Sequence, residues 1–281
     1  MQAKRETVQT LLDALPFIRR FWGETVVIKY GGAAQTESGL KDKFAQDIAL
    51  LALVGMKPVI VHGGGKSITD LSARLGIDSV FQNGLRVSSE KALWVAQMVL
   101  CGDINTEIVS LLNDHGAKAI GINGKDGNFA KAVGIDGLGF TGDVKEVNPD
   151  LLLKLIADRF VPVIAPIAAG SEPKQPGFNI NADLMACAVA GAVRAKKLIF
   201  MTDTAGVLDK DGRLIRSINR ADAARLKENG TISGGMIPKV DAALSALSFG
   251  VDKAHILDGR VEHSLLLEIL TSEGISTEIT R

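Results

Sequence analysis

Apolar positions along the chain follow two rhythms. In residues 8–22, Val8, Leu11, Leu12, Leu15, Ile18 and Trp22 recur at helical spacing, with Asp13 and Arg19 on the other side. That pattern predicts an amphipathic helix. Pro16 lies inside it and should kink or break it, because proline lacks a backbone donor and crowds the preceding turn. Before any wider comparison the helix fits two roles equally, lying on its own domain or serving as an oligomerisation arm through Phe17, Phe21 and Trp22. Further on, short Val/Ile-rich runs at 25–30, 57–62, 118–122, 161–165, 197–202 and 253–257 read as buried strands. Helical stretches separate them at 40–54, 67–75, 90–100, 105–113, 149–157, 181–193, 221–227, 238–249 and 262–270, and the Gly-rich segment 129–147 reads as hairpins. Strands alternating with helices imply an α/β fold with a mostly parallel central sheet between helical layers. In such sheets ligands bind beyond the carboxyl ends of the strands. The natural division of the chain falls near residues 191–197.

Composition narrows the function classes. Hydrophobic residues make up 46% and charged residues 23%, as in an ordinary soluble globule, and Lys+Arg and Asp+Glu both number 32. A net charge of zero gives no long-range field for nucleic acid or an anionic membrane. Cys101 and Cys187, the only cysteines, sit in apolar helix-like runs and read as buried thiols, with no disulfide framework or zinc site. The longest charge-free apolar run, 48–56, is too short to span a bilayer, and Lys4, Arg5 and Glu6 precede no apolar segment of the secretory kind. A cytoplasmic protein is expected, with no nucleic-acid or membrane partner and no bound metal.

Two glycine motifs lack the context they need. Gly65-Lys66-Ser67 resembles the end of a P-loop, but Ile60 stands where that motif requires glycine. Gly137 to Gly142 spells G-x-G-x-x-G, yet it leads into the strand-like Asp143–Val147 rather than a helix, so a dinucleotide-dependent oxidoreductase is disfavoured. Two other clusters each follow a buried strand and precede a helix, Gly31-Gly32 and Gly63-Gly64-Gly65. Successive N–H groups at such turns form nests for phosphate or carboxylate oxygens. Lys29 ends a strand of Val and Ile, so it must reach solvent or meet an anion, and its place before Gly31-Gly32 favours the anion. Asn179-Ile-Asn181-Ala-Asp183 opens an apolar helix that Asn181 could cap, while Asp183 could hold lysines or a metal. Lys239 follows Gly234-Gly235 at a helix start, where the dipole disfavours a cation unless an anion compensates. His62 is better read as structural than as a base.

Taken in order, IKYGG (28–32), VHGGGK (61–66), NGLRV (83–87), NINAD (179–183), MTDTAGVLD (201–209), GGMIPK (234–239) and HILDGRVEHSLLLE (255–268) resemble the N-acetylglutamate kinase family of the amino-acid kinase superfamily. Each piece is weak alone, but their joint order and spacing are specific, and the resemblance runs from Val26 to Thr277. It implies a carbamate-kinase-like fold of two lobes sharing one sheet, with an oligomerisation helix at 1–23, a substrate and dimerisation lobe at 24–192 and an ATP lobe at 193–281. It implies transfer of the ATP γ-phosphoryl group, with Mg²⁺ travelling with ATP and no tightly held cofactor, to the side-chain carboxylate of N-acetyl-L-glutamate. On matching positions, Lys29 and Lys239 would neutralise the transferring group from two sides and Asp183 would organise them. Gly63 and Gly64 would offer N–H groups to the reacting carboxylate, Arg86 would clamp the α-carboxylate, and Asn179 would hold the other end. Gly31 and Gly32 would face the ATP phosphates, with Thr202 and Asp203 in the nucleotide lobe.

The N-terminal helix further resembles the arginine-inhibited, hexameric members, which implies an arginine site with Glu268 and Gly274 as ligands and leaves a PII-type signalling partner open. One position departs from the pattern. The family reads Gly-x-Gly-Thr near the end where this chain has Gly274-Ile-Ser276-Thr277, and Ser276 would restrict the backbone if that φ is positive. Two rivals stay on the same fold. One is a kinase for aspartate, glutamate or carbamate, opposed by Arg86 and the NINAD segment. The other is a non-catalytic regulatory protein, which would have no need of Lys29, Lys239 and Asp183 together.

Overall fold

The structure, a computed structural model, describes residues 2–281. The helices are α1 (Gln2–Phe21), α2 (Ser38–Leu53), α3 (Gly65–Arg74), α4 (Glu90–Gln97), α5 (Asn105–Asp114), α6 (Asp150–Ala157), α7 (Ala182–Ala192), α8 (Arg220–Glu228), α9 (Met236–Ser248) and α10 (Ser264–Leu270). The strands are β1 (Thr25–Tyr30), β2 (Lys57–His62), β3 (Val80–Gln82), β4 (Leu85–Val87), β5 (Ala119–Asn123), β6 (Ala130–Gly134), β7 (Thr141–Val147), β8 (Val161–Ala165), β9 (Ile167–Gly170), β10 (Phe178–Ile180), β11 (Lys197–Thr202), β12 (Ser217–Ile218), β13 (Lys253–Asp258) and β14 (Thr277–Ile279).

Eight strands form one sheet in the order β12-β14-β13-β11-β1-β2-β8-β5. All its pairings are parallel except β13 with β14. The seam between β1 and β11 joins the two halves of the chain. Alternation along β1 shows why its strands read as unbroken apolar runs. Val27 points into the core under α7 and α9, with Val61, Leu198, Met185 and Val240. Val26 and Ile28 point to the opposite core, with Phe44 and Ile48 of α2 and Leu265 and Ile269 of α10. A strand covered on both faces needs apolar side chains at every position.

Most expected elements are present, and the differences have local causes. Helix α1 begins at Gln2 and runs through Pro16 unbroken, so the expected break is not there. A proline in a helix removes one bond to the preceding turn, which the other residues of a long helix can tolerate. The two helices expected at 90–100 and 105–113 form one run, Glu90–Asp114, joined by a π-helical stretch over Met98–Ile104. That run is 25 residues and by length and composition alone apolar enough to cross a membrane. Here it buries Leu93, Val95, Ala96, Val99 and Leu100 in the core under α2, as a core helix does. The segment 129–147 is indeed a hairpin, β6 with β7, and its Gly137–Gly142 stretch runs from the connection into the first residues of β7 rather than into a helix. Together with β9 and β10, two short strands the apolar runs do not mark, it closes a small barrel.

Candidate active site

The carboxyl ends of β1 and β2 open into a cleft of about 820 Å³. Lys29, Gly31, Gly32, Gly63, Gly64, Arg86, Asn179, Asp183 and Asp203 all line it. Sequence positions far apart in the chain thus meet where a parallel sheet places its ligands. Thr202 and Lys239 are not among the lining residues. Thr202 is buried at the end of β11. Lys239 stands half-buried in α9, which starts at Met236, and makes no ion pair among the described residues.

Lys29 Nζ lies 3.0 Å from Asp183 Oδ1, yet that buried oxygen has no aligned hydrogen bond. The pair is held by charge and proximity, and an ammonium with three donors keeps directions free for another acceptor. The Lys29 ammonium also folds over Gly31, where an added Cβ would stand 2.8 Å from Nζ. Gly32 has φ +69°, and a Cβ there would collide with the Asp203 carboxylate. Tyr30, between Lys29 and Gly31, stacks on Phe44 at 3.8 Å and donates to Ala34 O at 2.6 Å, so the turn after β1 is closed from beneath.

The second glycine cluster is more selective than its sequence implies. Gly63 N–H extends the β1–β2 ladder, donating to Tyr30 O at 2.9 Å, so it is not free for a ligand as expected. Gly64 N–H has no partner among the described residues. His62 is fully buried, and burial pulls its imidazole down to about 4, so it is neutral at pH 7 and only a weak proton acceptor. Asn181 proves to be the N-cap of α7, accepting from Asp183 N and Leu184 N. That cap fixes the first turn from which Asp183 projects, with Asn179 just before it on β10.

Arg86 sits on a β3–β4 hairpin whose turn, Asn83-Gly84, has φ +52° and +79°. Such a pair is the strongest short-range hairpin signal, and it went unread. The side chain is 7% exposed. Its nitrogens donate to Ser79 Oγ at 2.8 Å, Thr69 Oγ1 at 2.8 Å and Gly65 O at 3.0 Å, and the guanidinium stacks over Phe81 at 4.6 Å. All these partners are neutral. Burial alone pulls its pKa below the ordinary value, with no carboxylate opposing it.

A second cleft, about 290 Å³, lies between the end of α1 and the far end of the sheet. Glu268 and Gly274 both line it, with Phe17, Arg20, Lys197 and Arg216. Glu268 Oε1 lies 2.9 Å from His255 Nδ1 and 3.8 Å from Lys197 Nζ, and Oε2 accepts from Ile275 N and Ser276 N. Burial would raise the Glu268 carboxyl, but the His255 hydrogen bond and charge, the backbone donors and Lys197 outweigh it and hold it at about 2. Lys197 also faces the Phe21 ring of α1 at 5.1 Å. It was not singled out, although a lysine opening a wholly apolar strand is the same signal that marked Lys29. Gly274 has φ +59° against the Glu268 carboxylate. Ser276 does not have positive φ, so the strain considered there is absent, and its Oγ lies 3.1 Å from His255 Nδ1.

Among the described residues no group of His, Cys, Asp and Glu is placed to hold a metal ion. The family model for amino acid kinases matches residues 24–258. The acetylglutamate kinase of a Nitratiruptor species is 59% identical over 281 residues, covering 99% of both chains. Among solved structures, N-acetylglutamate synthase from Neisseria gonorrhoeae with coenzyme A and N-acetyl-glutamate matches with TM-score 0.87 at 27% identity, covering 98% of this chain and 63% of that one. The same synthase with coenzyme A and L-arginine matches with TM-score 0.82 at 26% identity, covering 97% and 65%. This chain thus spans about two thirds of the synthase's length. Carbamate kinase from Giardia lamblia bound to citric acid shares the fold, with TM-score 0.66 at 17% identity over 92% and 98%. With the family model over most of its length and a relative matched end to end, the chain belongs to the amino acid kinase family and, within it, to the acetylglutamate kinases.

Proposed function

We propose that the chain transfers the γ-phosphoryl group of ATP to the side-chain carboxylate of N-acetyl-L-glutamate, giving N-acetylglutamyl 5-phosphate and ADP, the second step of arginine biosynthesis. The observation that carries this reading is Arg86, a buried cation whose partners are all neutral, in the same cleft as Lys29 and Gly64. A buried charge demands a counter-ion, and a guanidinium suits a carboxylate. The α-carboxylate of the substrate supplies it, Asn179 receives the acetamido end, and the side-chain carboxylate reaches towards Gly64 and Lys29.

The acceptor carboxylate is already ionised at neutral pH, so no general base is required. Its oxygen attacks the γ-phosphorus, the bond to the bridging oxygen breaks, and the electron pair leaves on ADP. The difficulty is bringing two anions together, so catalysis is positioning and charge stabilisation. Lys29, organised by Asp183, neutralises the transferring oxygens from one side, and Lys239 serves from the nucleotide side. Backbone at Gly31 and Gly32 faces the phosphates, with Thr202 and Asp203 bordering the nucleotide, and Mg²⁺ enters as the ATP complex. The acyl phosphate formed is labile and gains from exclusion of water.

Hydroxamate trapping with ATP and Mg²⁺ tests the reading, with N-acetylglutamate run beside glutamate, aspartate and carbamate. Product is expected with N-acetylglutamate alone, with kcat reduced about 10²-fold or more in Lys29→Ala. No turnover on any of the acids would overturn it.

The second cleft is read as an effector site for arginine, with Glu268 facing the guanidinium and Gly274 leaving room beside it. Arginine carries one cationic and one zwitterionic end, matching a cleft that holds both Glu268 and the cations Arg20, Lys197 and Arg216. Val8, Leu11 and Leu12 of α1 are more than half exposed, which supports this helix as the arm linking dimers into a hexamer. Light scattering that finds only dimers would remove the hexamer. A PII-type protein is the candidate regulatory partner of such a hexamer, and the cytoplasm is its place.

A further inference from the structure

We infer that His62 and Gln35 are positioning residues whose shared hold on the Gly63 carbonyl aims the Gly64 N–H at the reacting carboxylate. The Gly63 carbonyl and the Gly64 N–H belong to one peptide unit, which is planar and trans, so they point in opposite directions. Fixing one therefore fixes the other. The Gly63 oxygen receives two donors, His62 Nδ1 at 2.9 Å and Gln35 Nε2 at 3.3 Å.

The His62 proton is placed by its other neighbours. Asn105 Nδ2 donates to Val163 O at 2.9 Å, which identifies that atom as the amide nitrogen. The same nitrogen faces His62 Nε2 at 3.1 Å, so Nε2 accepts. A neutral imidazole carries one proton, and it must then be on Nδ1. A buried relay results, running from the β8 backbone through Asn105 and His62 to the Gly63 carbonyl. The preceding peptide is held as well, since Gly63 N–H donates to Tyr30 O. Between two anchored peptides Gly64 N–H cannot swing, and it is left without a partner among the described residues, on a residue that lines the cleft. Preorganised donors of this kind stabilise developing negative charge without reorganisation during the reaction.

This inference rests on the reading that Gly64 faces the transferring group, and its test separates the two. Asparagine at position 62 carries its amide nitrogen where Nδ1 stands, whereas glutamine carries it nearer the place of Nε2. His62→Gln is expected to lower kcat about tenfold or more, part of the 10²–10³ that a whole oxyanion donor contributes, with KM for N-acetylglutamate within about threefold. His62→Asn is expected to recover most of that loss, with kcat within about 1.5-fold of the wild type. Gln35→Ala, at a half-buried side chain outside the core, should lower kcat about threefold with KM unchanged, and serves if the His62 variants do not fold. Equal activity of the Asn and Gln variants, or an unchanged kcat in Gln35→Ala, would overturn the inference. In parallel, the amide resonance of Gly64 in glycine-labelled protein should shift when N-acetylglutamate and a non-hydrolysable ATP analogue bind. An active enzyme whose Gly64 resonance does not move would remove the underlying reading and the inference with it.

Discussion

The two clefts handle buried charge in opposite ways. In the first, Arg86 is nearly unexposed and every partner it has is neutral. In the second, Lys197, His255 and Glu268 are equally unexposed but face one another. A buried charge without a counter-ion is costly, and a buried pair largely offsets its own desolvation. The first cleft is therefore electrically incomplete until an anion enters, which suits a substrate that must be bound and oriented. In the second, the buried carboxylate of Glu268 already has Lys197 and His255 against it. A ligand there has to compete with internal pairs and rearrange them, which suits an effector whose arrival alters the packing between α1 and α10.

The largest effect should come from removing the incomplete charge. Arg86→Ala is expected to raise KM for N-acetylglutamate about 100-fold, since hydrogen bonds between charged groups contribute about 1.5–3 kcal/mol. Thermal stability should not fall in proportion, because an uncompensated buried cation leaves with the side chain. Arg86→Lys sharpens the point. It keeps the charge but cannot make three separate contacts to Ser79, Thr69 and Gly65 while lying flat on Phe81, so KM should still rise about tenfold. Steady-state kinetics on both variants decides it. An unchanged KM in either would erase the distinction between the clefts.

What could be read beforehand follows the same division between local and non-local causes. Strands β1, β2 and β11 were legible because runs of Val and Ile end at glycine or a polar turn, a pattern contained in six residues. The one-sided signals of Lys29 and Asp183 were legible for the same reason. Strands β12 and β14 were not, because two or three residues become a strand only through pairing with neighbours. The π-helical joint was hidden by Gly102 and Asp103, which interrupt apolar spacing as a helix end would. Lys29 and Lys239 looked alike, each beside a glycine turn, and the structure places only the first in the cleft. Nothing local to Lys239 records where α9 lies against the sheet. The N–H of Gly63 looked as available as that of Gly64, because a strand's last ladder bond is not written in its own residues.

A smaller effect, with a pH signature, belongs to the second cleft. The Glu268 carboxyl is held at about 2, below its ordinary 4.5. A depressed folded-state value contributes stability that is present above the ordinary value and is lost as pH falls through the folded one. The wild type should therefore lose this contribution between pH 4.5 and about 2. In Glu268→Gln the melting temperature should fall less steeply over that window, because no proton is taken up there. Inhibition by arginine should weaken in the same variant while KM for N-acetylglutamate stays near the wild-type value. Thermal melts across pH, with inhibition curves at neutral pH, check both. Undiminished inhibition would show that the charges of this cleft serve the fold alone.

The smallest effect should come from Ser276→Gly, which restores the glycine that the family resemblance leads one to expect. If a positive φ had been required at this position, the change would relieve strain and stabilise the protein. The observed backbone requires no such thing. The change instead removes the Ser276 hydroxyl from His255 Nδ1 and leaves Ser276 N–H, a backbone group, on Glu268 Oε2. One modest hydrogen bond is lost, worth about 1 kcal/mol, and the unfolded chain gains freedom at a new glycine, worth roughly another 0.5–1 kcal/mol. A drop of about 3 °C in melting temperature is expected for a chain of this size. Arginine inhibition should change by no more than about threefold, because the carboxylate and its backbone donors are untouched. A large gain in arginine affinity without loss of stability would mean that Ser276 obstructs the ligand directly. The second cleft would then be limited by space rather than by the charges it has already paired.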